Sequence, residues 1–207
     1  SHDAALVFDG VPSMHDPKAC TILAELHAKS LGKRWIPRTR EEKHSRHLAD
    51  RHRIASRAFT QLEGELEALL AAHWPELSAI VGTGVVWHLH LLSERGGPAA
   101  VVANPRATRE LLHRVSHGSL RAERIEEIAG CAQGALGVPL DEDDAHLLKL
   151  ITGLLLALHG QMRDVDAEAK KFVAGAKALP SLAQVARMLG AMTACVLFGD
   201  VGDPCAY

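Results

Sequence analysis

The residues best equipped for chemistry crowd into one short stretch. Arg38, Arg40, Lys43, Arg46, Arg51, Arg53 and Arg57 are interleaved with His44, His47 and His52, against only Glu41, Glu42 and Asp50. Further along, the same predicted helix turns acidic at Glu63, Glu65 and Glu67. An isolated helix prefers acids near its N-terminus, by about 0.3–1 kcal/mol per charge, so a polarity set against the dipole points to a purpose other than helix stability. Phosphate binding is the obvious one, because each phosphate neutralised by Lys or Arg releases counterions. Arg outnumbers Lys, which suits bidentate recognition of phosphate or base edges. The competing reading is a solvated face with intrahelical pairs such as Glu42–Arg46. Spacing does not distinguish DNA from RNA as the target.

Other reactive side chains form weaker patterns. Asp141-Glu142-Asp143-Asp144 resembles a metal cluster, but it opens a predicted helix, where acids complement the dipole and Asp141 can cap. His88 and His90, two apart on a helix, point to different faces and cannot share a metal. His44 and His47 could share a face, yet no third ligand is apparent. Cys20, Cys131, Cys195 and Cys205 are scattered with no C-x-x-C pair, which argues against a zinc knuckle or disulfide framework and for reduced thiols in a cytoplasm. No phosphate-binding loop, dinucleotide fingerprint or nucleophile elbow is present, and Ser13 and Ser181 have no recognisable base partner.

The elements that must position these residues are mainly helical. Aromatics are only 4% of the 207 residues while Ala and Leu abound, which favours helix over strand. The formal net charge of −2 leaves no general attraction to nucleic acid, so any such binding must be local. The apolar run from Leu147 to Leu158 is interrupted by Lys149 and is too short to cross a bilayer, and nothing reads as a signal peptide. Ala4 to Phe8 reads as a short buried strand, the end of an upstream domain. Asp16-Pro17 should cap a helix reaching Lys29, with Ile22, Leu23 and Leu26 buried. Thr39 can cap a long helix to about His73, where Trp74-Pro75 stops or bends it. Its apolar stripe would be Leu48, Ile54, Ala58, Phe59, Leu62, Leu66 and Leu69. Pro75 to Gly137 breaks into short helices. A second long helix from about Asp141 to Ala176 carries a near-heptad seam of Leu147, Ile151, Leu154, Leu158, Met162, Val165, Ala169 and Phe172. Two short helices, about Ser181–Met188 and Ala191–Phe198, close the chain. The expected architecture is a long antiparallel helical hairpin, coiled-coil-like, with a small helical insert, and an ordinary helical bundle is the alternative. The domains are then 1–37, 38–177 with the insert at about 75–137, and 178–207.

Three stretches together resemble DEDD-type insertion-sequence transposases, the group numbered one hundred and ten. Val7-Phe8-Asp9-Gly10-Val11-Pro12-Ser13-Met14-His15-Asp16-Pro17-Lys18-Ala19-Cys20 resembles the end of that family's RNase-H-like catalytic domain, where Lys-Thr-Asp-x-x-Asp-Ala precedes a helix. The Arg-rich helix running through Leu66-Glu67-Ala68-Leu69-Leu70 to His73-Trp74-Pro75-Glu76 resembles the helix that opens the family's coiled coil. Met188-Leu189-Gly190-Ala191-Met192-Thr193-Ala194, followed by Gly199-Asp200-Val201-Gly202-Asp203-Pro204, is similar to the start of the C-terminal transposase domain, a helical hairpin before a Gly-Asp turn.

The resemblance implies a bacterial cytoplasmic DNA transposase of a mobile element, acting by strand cleavage and rejoining. Mg²⁺ would be held by acids of the RNase-H-like site, with Asp16 the third of four acids and both a catalytic residue and a metal ligand. Ala19 stands where the fourth acid belongs, and Met188 replaces the first Gly of the hairpin. The other acids would lie upstream of Ser1 and the catalytic serine beyond Tyr207, so the chain by itself is expected to be an inactive fragment. DNA is the implied partner, with a structured guide RNA in some members. The long helices would provide a homodimer or higher-oligomer interface. The alternative of a different class is a non-enzymatic helical module for nucleic-acid binding or dimerisation.

Overall fold

The computed structural model describes residues 20–22, 24–25, 28–29, 38–176 and 180–202. The chain divides into two units, Ser1–Thr39 and Arg40–Tyr207. In the first, residues 20–22, 24, 25 and 28 are helical, and the Lys29 N–H donates to the Glu25 carbonyl at 2.9 Å. This matches the described part of the expected Pro17–Lys29 helix. The expected strand at Ala4–Phe8, and with it any RNase-H-like remnant, lies outside the described residues.

Every regular element described in the second unit is a helix. Two helices of 34 residues each, α1 (Arg40–His73) and α7 (Glu142–Gly175), are its frame, each about 50 Å long. Between them lie α2 (Pro75–Ile80), α3 (Val86–Arg95), α4 (Pro98–Ala103), α5 (Pro105–Val115) and α6 (Ala122–Gln133), and after them α8 (Pro180–Leu189) and α9 (Ala191–Val201). Helix α1 stops where expected. Pro75 has no N–H to continue the ladder and pushes the residue before it out of the helical region, and Trp74 accordingly sits at φ −153°. Helix α7 starts on a side-chain cap, the Asp141 carboxylate accepting from the Asp144 N–H at 2.8 Å. The acidic run at 141–144 is therefore a helix start.

Helices α1 and α7 pack antiparallel. His73 Nε2 meets Asp144 Oδ2 at 3.3 Å at one end, and Arg51 Nη1 meets Glu168 Oε2 at 2.7 Å towards the other. Leu48, Val165, Ala169 and Cys195 form the buried cluster at the Arg51 end. A larger core unites Leu66 and Leu70 of α1 with Leu148, Ile151 and Leu155 of α7 and the apolar faces of the insert around Trp74, Leu89, Leu92, Leu112 and Ile128. The expected hairpin with a helical insert is thus observed, and α8 and α9 pack on the opposite end of the hairpin from the insert, against α7 and α1.

Two details of the expected seams are corrected. Ile54 is 67% exposed rather than on the buried stripe, because six residues of helix carry it about 240° round from Leu48. Ser45, His52 and Ala55 fill the inward positions instead, Ser45 and Ala55 fully buried and His52 half-buried. In the first half of α7 the buried set is Leu148, Ile151, Thr152 and Leu155, while Leu147, Leu150 and Leu154 remain 44%, 59% and 44% exposed. The reason is a second partner. Helix α3 packs on α7 beside α1, and the buried face turns by about one residue to satisfy both. The displaced leucines line an open groove with Leu62, Ala68, Leu69 and Ala72 of α1.

The loop before α7 is stitched to the α1–α2 junction. The Val138 N–H donates to the Ala72 carbonyl at 2.9 Å, and His73 Nδ1 donates to the Val138 carbonyl at 2.8 Å. A side chain at Gly137 would meet the His73 backbone at 2.4 Å, so only glycine permits this approach. A second buried histidine, His88, donates from Nδ1 to the Gly82 carbonyl at 3.0 Å. Burial pushes its pKa below the ordinary 6.5, the hydrogen bond to Gly82 opposing. The unfolded chain therefore takes up this proton first as pH falls, and stability present above pH 6.5 is lost below it, down to the depressed folded pKa. His88→Asn, whose amide can keep the donor to Gly82, should lose stability less steeply than the parent between pH 7 and 5. The difference in slope should approach, at most, about 1.4 kcal/mol per pH unit. Urea denaturation across that range checks this, and parallel pH profiles would contradict it.

Candidate nucleic-acid interface

Helix α1 divides its basic residues between two edges. The edge beside α7 is neutralised. Arg51 pairs with Glu168 at 2.7 Å, His44 lies 3.9 Å from the same carboxylate and His52 lies 3.8 Å from Asp166. The His44 ring also packs edge-on against Phe172, with centroids 4.9 Å apart. These pairs are exposed, and such contacts contribute about 0.2–1 kcal/mol each. They fix register more than they stabilise.

The outward edge is different. Lys43, Arg46, His47, Asp50, Arg53, Ile54 and Arg57, each three or four residues from another of the set, lie on the solvent side. Asp50 is the single acid among them. It accepts from Arg53 at 2.5 Å and lies 3.9 Å from Arg46, so it orients two guanidinium groups while leaving both about half exposed. Among the described residues, Lys43, His47 and Arg57 enter no ion pair, nor does Arg40 at the first turn. Arg38, half-buried just ahead of the helix, is engaged. The predicted basic set thus resolves into one bound cation (Arg51), two held by Asp50 and three free on α1, with Arg38 apart from them. Asp16 lies outside the described residues.

The insert offers a contrast. Arg106 pairs with Glu110, Arg109 with Glu126, Arg114 with Glu94 and Arg124 with Glu127. The Arg109–Glu126 pair is bidentate at 2.6 and 2.8 Å, and Arg109 holds the Glu126 carboxyl below the usual carboxylate range. These four insert arginines are thus neutralised, whereas Arg95 and Arg121 of the insert and Lys149, Arg163, Lys170 and Lys171 of α7 enter no ion pair among the described residues. Reading α1 alone missed the carboxylates of Asp166 and Glu168, although their spacing on α7 already carried the signal of a charged seam edge.

Behind the basic edge the support is close-packed. Leu48 is buried against Val165, Ala169 and Cys195, and burial pushes the Cys195 thiol up, the Ser45 hydroxyl opposing. Helix α9 comes nearest at Gly199, inside the helix and not in the Gly-Asp turn that the resemblance implies. Among the described residues, no three His, Cys, Asp or Glu side chains converge as metal ligands. No described helix is long and apolar enough to cross a membrane. No family model, no curated protein and no solved structure matches the chain.

A Cβ at Gly199 would lie 2.8 Å from Arg46 Cα and N, against backbone that cannot swing aside. Gly199→Ala should push α9 off α1 and cost about 1–3 kcal/mol, as overpacking does. Urea denaturation measures this, and unchanged stability would contradict the close crossing.

Proposed function

We propose that this chain is a helical, polyanion-holding part of a DNA transposase from an insertion sequence. The observation that carries the reading is the outward edge of α1, where Lys43, Arg46, Arg53 and Arg57 stand exposed with only Asp50 among them, while four insert arginines are each paired to a glutamate. The family order of the three stretches between Val7 and Pro204 supports the transposase class. In this reading the α1 cations neutralise phosphates and release counterions, and the α1–α7 seam holds them at fixed spacing. DNA is the proposed partner, and a guide RNA would use the same phosphate chemistry. The family's magnesium would belong to an RNase-H-like site containing Asp16. Among the described residues, no three carboxylate, imidazole or thiol groups converge to hold it.

Replacing Lys43, Arg46, Arg53 and Arg57 with Ala should weaken binding to nucleic acid and flatten the dependence of log K on log salt by about 0.7–0.9 per lost phosphate contact. Arg51→Ala, which removes a cation already held by Glu168, should change the slope least. A slope unaffected by the fourfold variant would sink the reading.

A second reading, self-assembly, is favoured by the groove. Leu147, Leu150 and Leu154 are exposed at heptad steps beside Leu62 and Leu69, the pattern that seats a further helix. A second copy would cover it. Light scattering should then find a dimer that Leu150→Glu dissociates, and a monomer at high concentration would rule this out.

A further inference from the structure

Resting on the phosphate-binding reading above, we infer that Arg46 and Arg53 form a clamp for one backbone phosphate of a nucleic acid, which the Asp50 carboxylate fills until that phosphate displaces it. Asp50 lies four residues after Arg46 and three before Arg53, the two spacings at which helical side chains meet. The guanidinium groups approach different oxygens of the one carboxylate. Arg53 Nη2 donates to Oδ1 at 2.5 Å, and Arg46 Nε lies 3.9 Å from Oδ2. A guanidinium fork fits carboxylate and phosphate oxygens alike. The two nonbridging oxygens of a phosphodiester can therefore take the places that the Asp50 oxygens hold.

The clamp is short of negative charge. Two arginines share one carboxylate, whereas in the insert Arg106, Arg109, Arg114 and Arg124 each have a different glutamate. Arg109 meets Glu126 through two hydrogen bonds. Asp50 accepts one, from Arg53, and its contact with Arg46 is longer than a hydrogen bond.

Asp50 is also held weakly enough to give way. The side chains of Arg46, Asp50 and Arg53 are 49%, 40% and 59% exposed, and water screens such pairs to a small net contribution. Lys43 and Arg57 stand one turn before Arg46 and one turn after Arg53, and neither enters an ion pair among the described residues. Free cations on both flanks suit a run of linked phosphates over a lone phosphate ion.

The test uses the whole chain and a short DNA duplex. Asp50→Asn keeps the size of the side chain and removes its charge. It should bind the duplex roughly two- to fivefold more tightly than the parent at low salt, the size of one exposed ion pair. The gain should shrink as salt rises, because the slope of log K on log salt steepens by about 0.9 for one further phosphate neutralised. Asp50→Glu, which restores the anion, should return affinity and slope to near the parent values. In the parent, adding duplex should shift the nuclear magnetic resonance signal of the Asp50 carboxyl carbon, and inorganic phosphate at matched ionic strength should leave it in place.

The inference is overturned if Asp50→Asn binds no more tightly than the parent or if its slope does not steepen, since Asp50 then serves α1 alone. A carboxyl shift produced equally by inorganic phosphate overturns the assignment to a nucleic-acid backbone. Either result leaves the phosphate-binding reading standing if the Lys43, Arg46, Arg53 and Arg57 substitutions still flatten the slope. A slope unmoved by those four removes both.

Discussion

Everything in the Arg40–Tyr207 unit depends on the antiparallel contact between α1 and α7. A helix of this length gains little by itself. Its stability comes from the apolar face it buries, and here each long helix is the other's largest single partner. Because α1 turns Ser45, Leu48 and Ala55 inwards, the residues about half a turn away must face out. The exposure of Lys43, Arg46, Arg53 and Arg57 follows from the packing of Leu48 and Leu66 as much as from their own charge.

The same contact sorts charge along the hairpin. Near its Arg40 end the α7 carboxylates of Asp166 and Glu168 take up the cations and imidazoles beside the seam and leave those on the outer edge alone. Towards the insert the helices carry Glu63, Glu65 and Glu67 on one side and Glu142, Asp143 and Asp144 on the other. The two ends of the rod therefore differ in sign although the chain as a whole is near neutral. In the proposed reading, such a field would draw a polyanion towards one end and turn it away from the other.

Much of this architecture is legible in the sequence, and for physical reasons. Pro75 after Trp74, Asp141 before an acidic first turn and Gly190 between two apolar stretches are local signals that act over one turn of chain, and each marks a helix end within a residue or two. Long-range packing was less legible. Reading Ile54 as core counted apolar type above angular position, and Ser45 and His52 were overlooked because polar side chains filled inward sites. The seam of α7 rotates because α3 joins it, a tertiary fact that no periodicity within α7 encodes. At the site, the basic stretch could be found from composition, but its division into bound and free cations required knowing which α7 carboxylates lie opposite. Asp16 and the strand at Ala4–Phe8 lie outside the described residues.

The central claim is that polyanion contact is confined to the outer edge of α1. Nuclear magnetic resonance of the arginine Nε–H groups during titration with duplex DNA tests it directly, residue by residue. The signals of Arg46, Arg53 and Arg57 should move together and saturate, while those of Arg109 and Arg114, held by Glu126 and Glu94 in the insert, stay in place. Shifts spread evenly over all the arginines, or centred on the insert, would contradict the account.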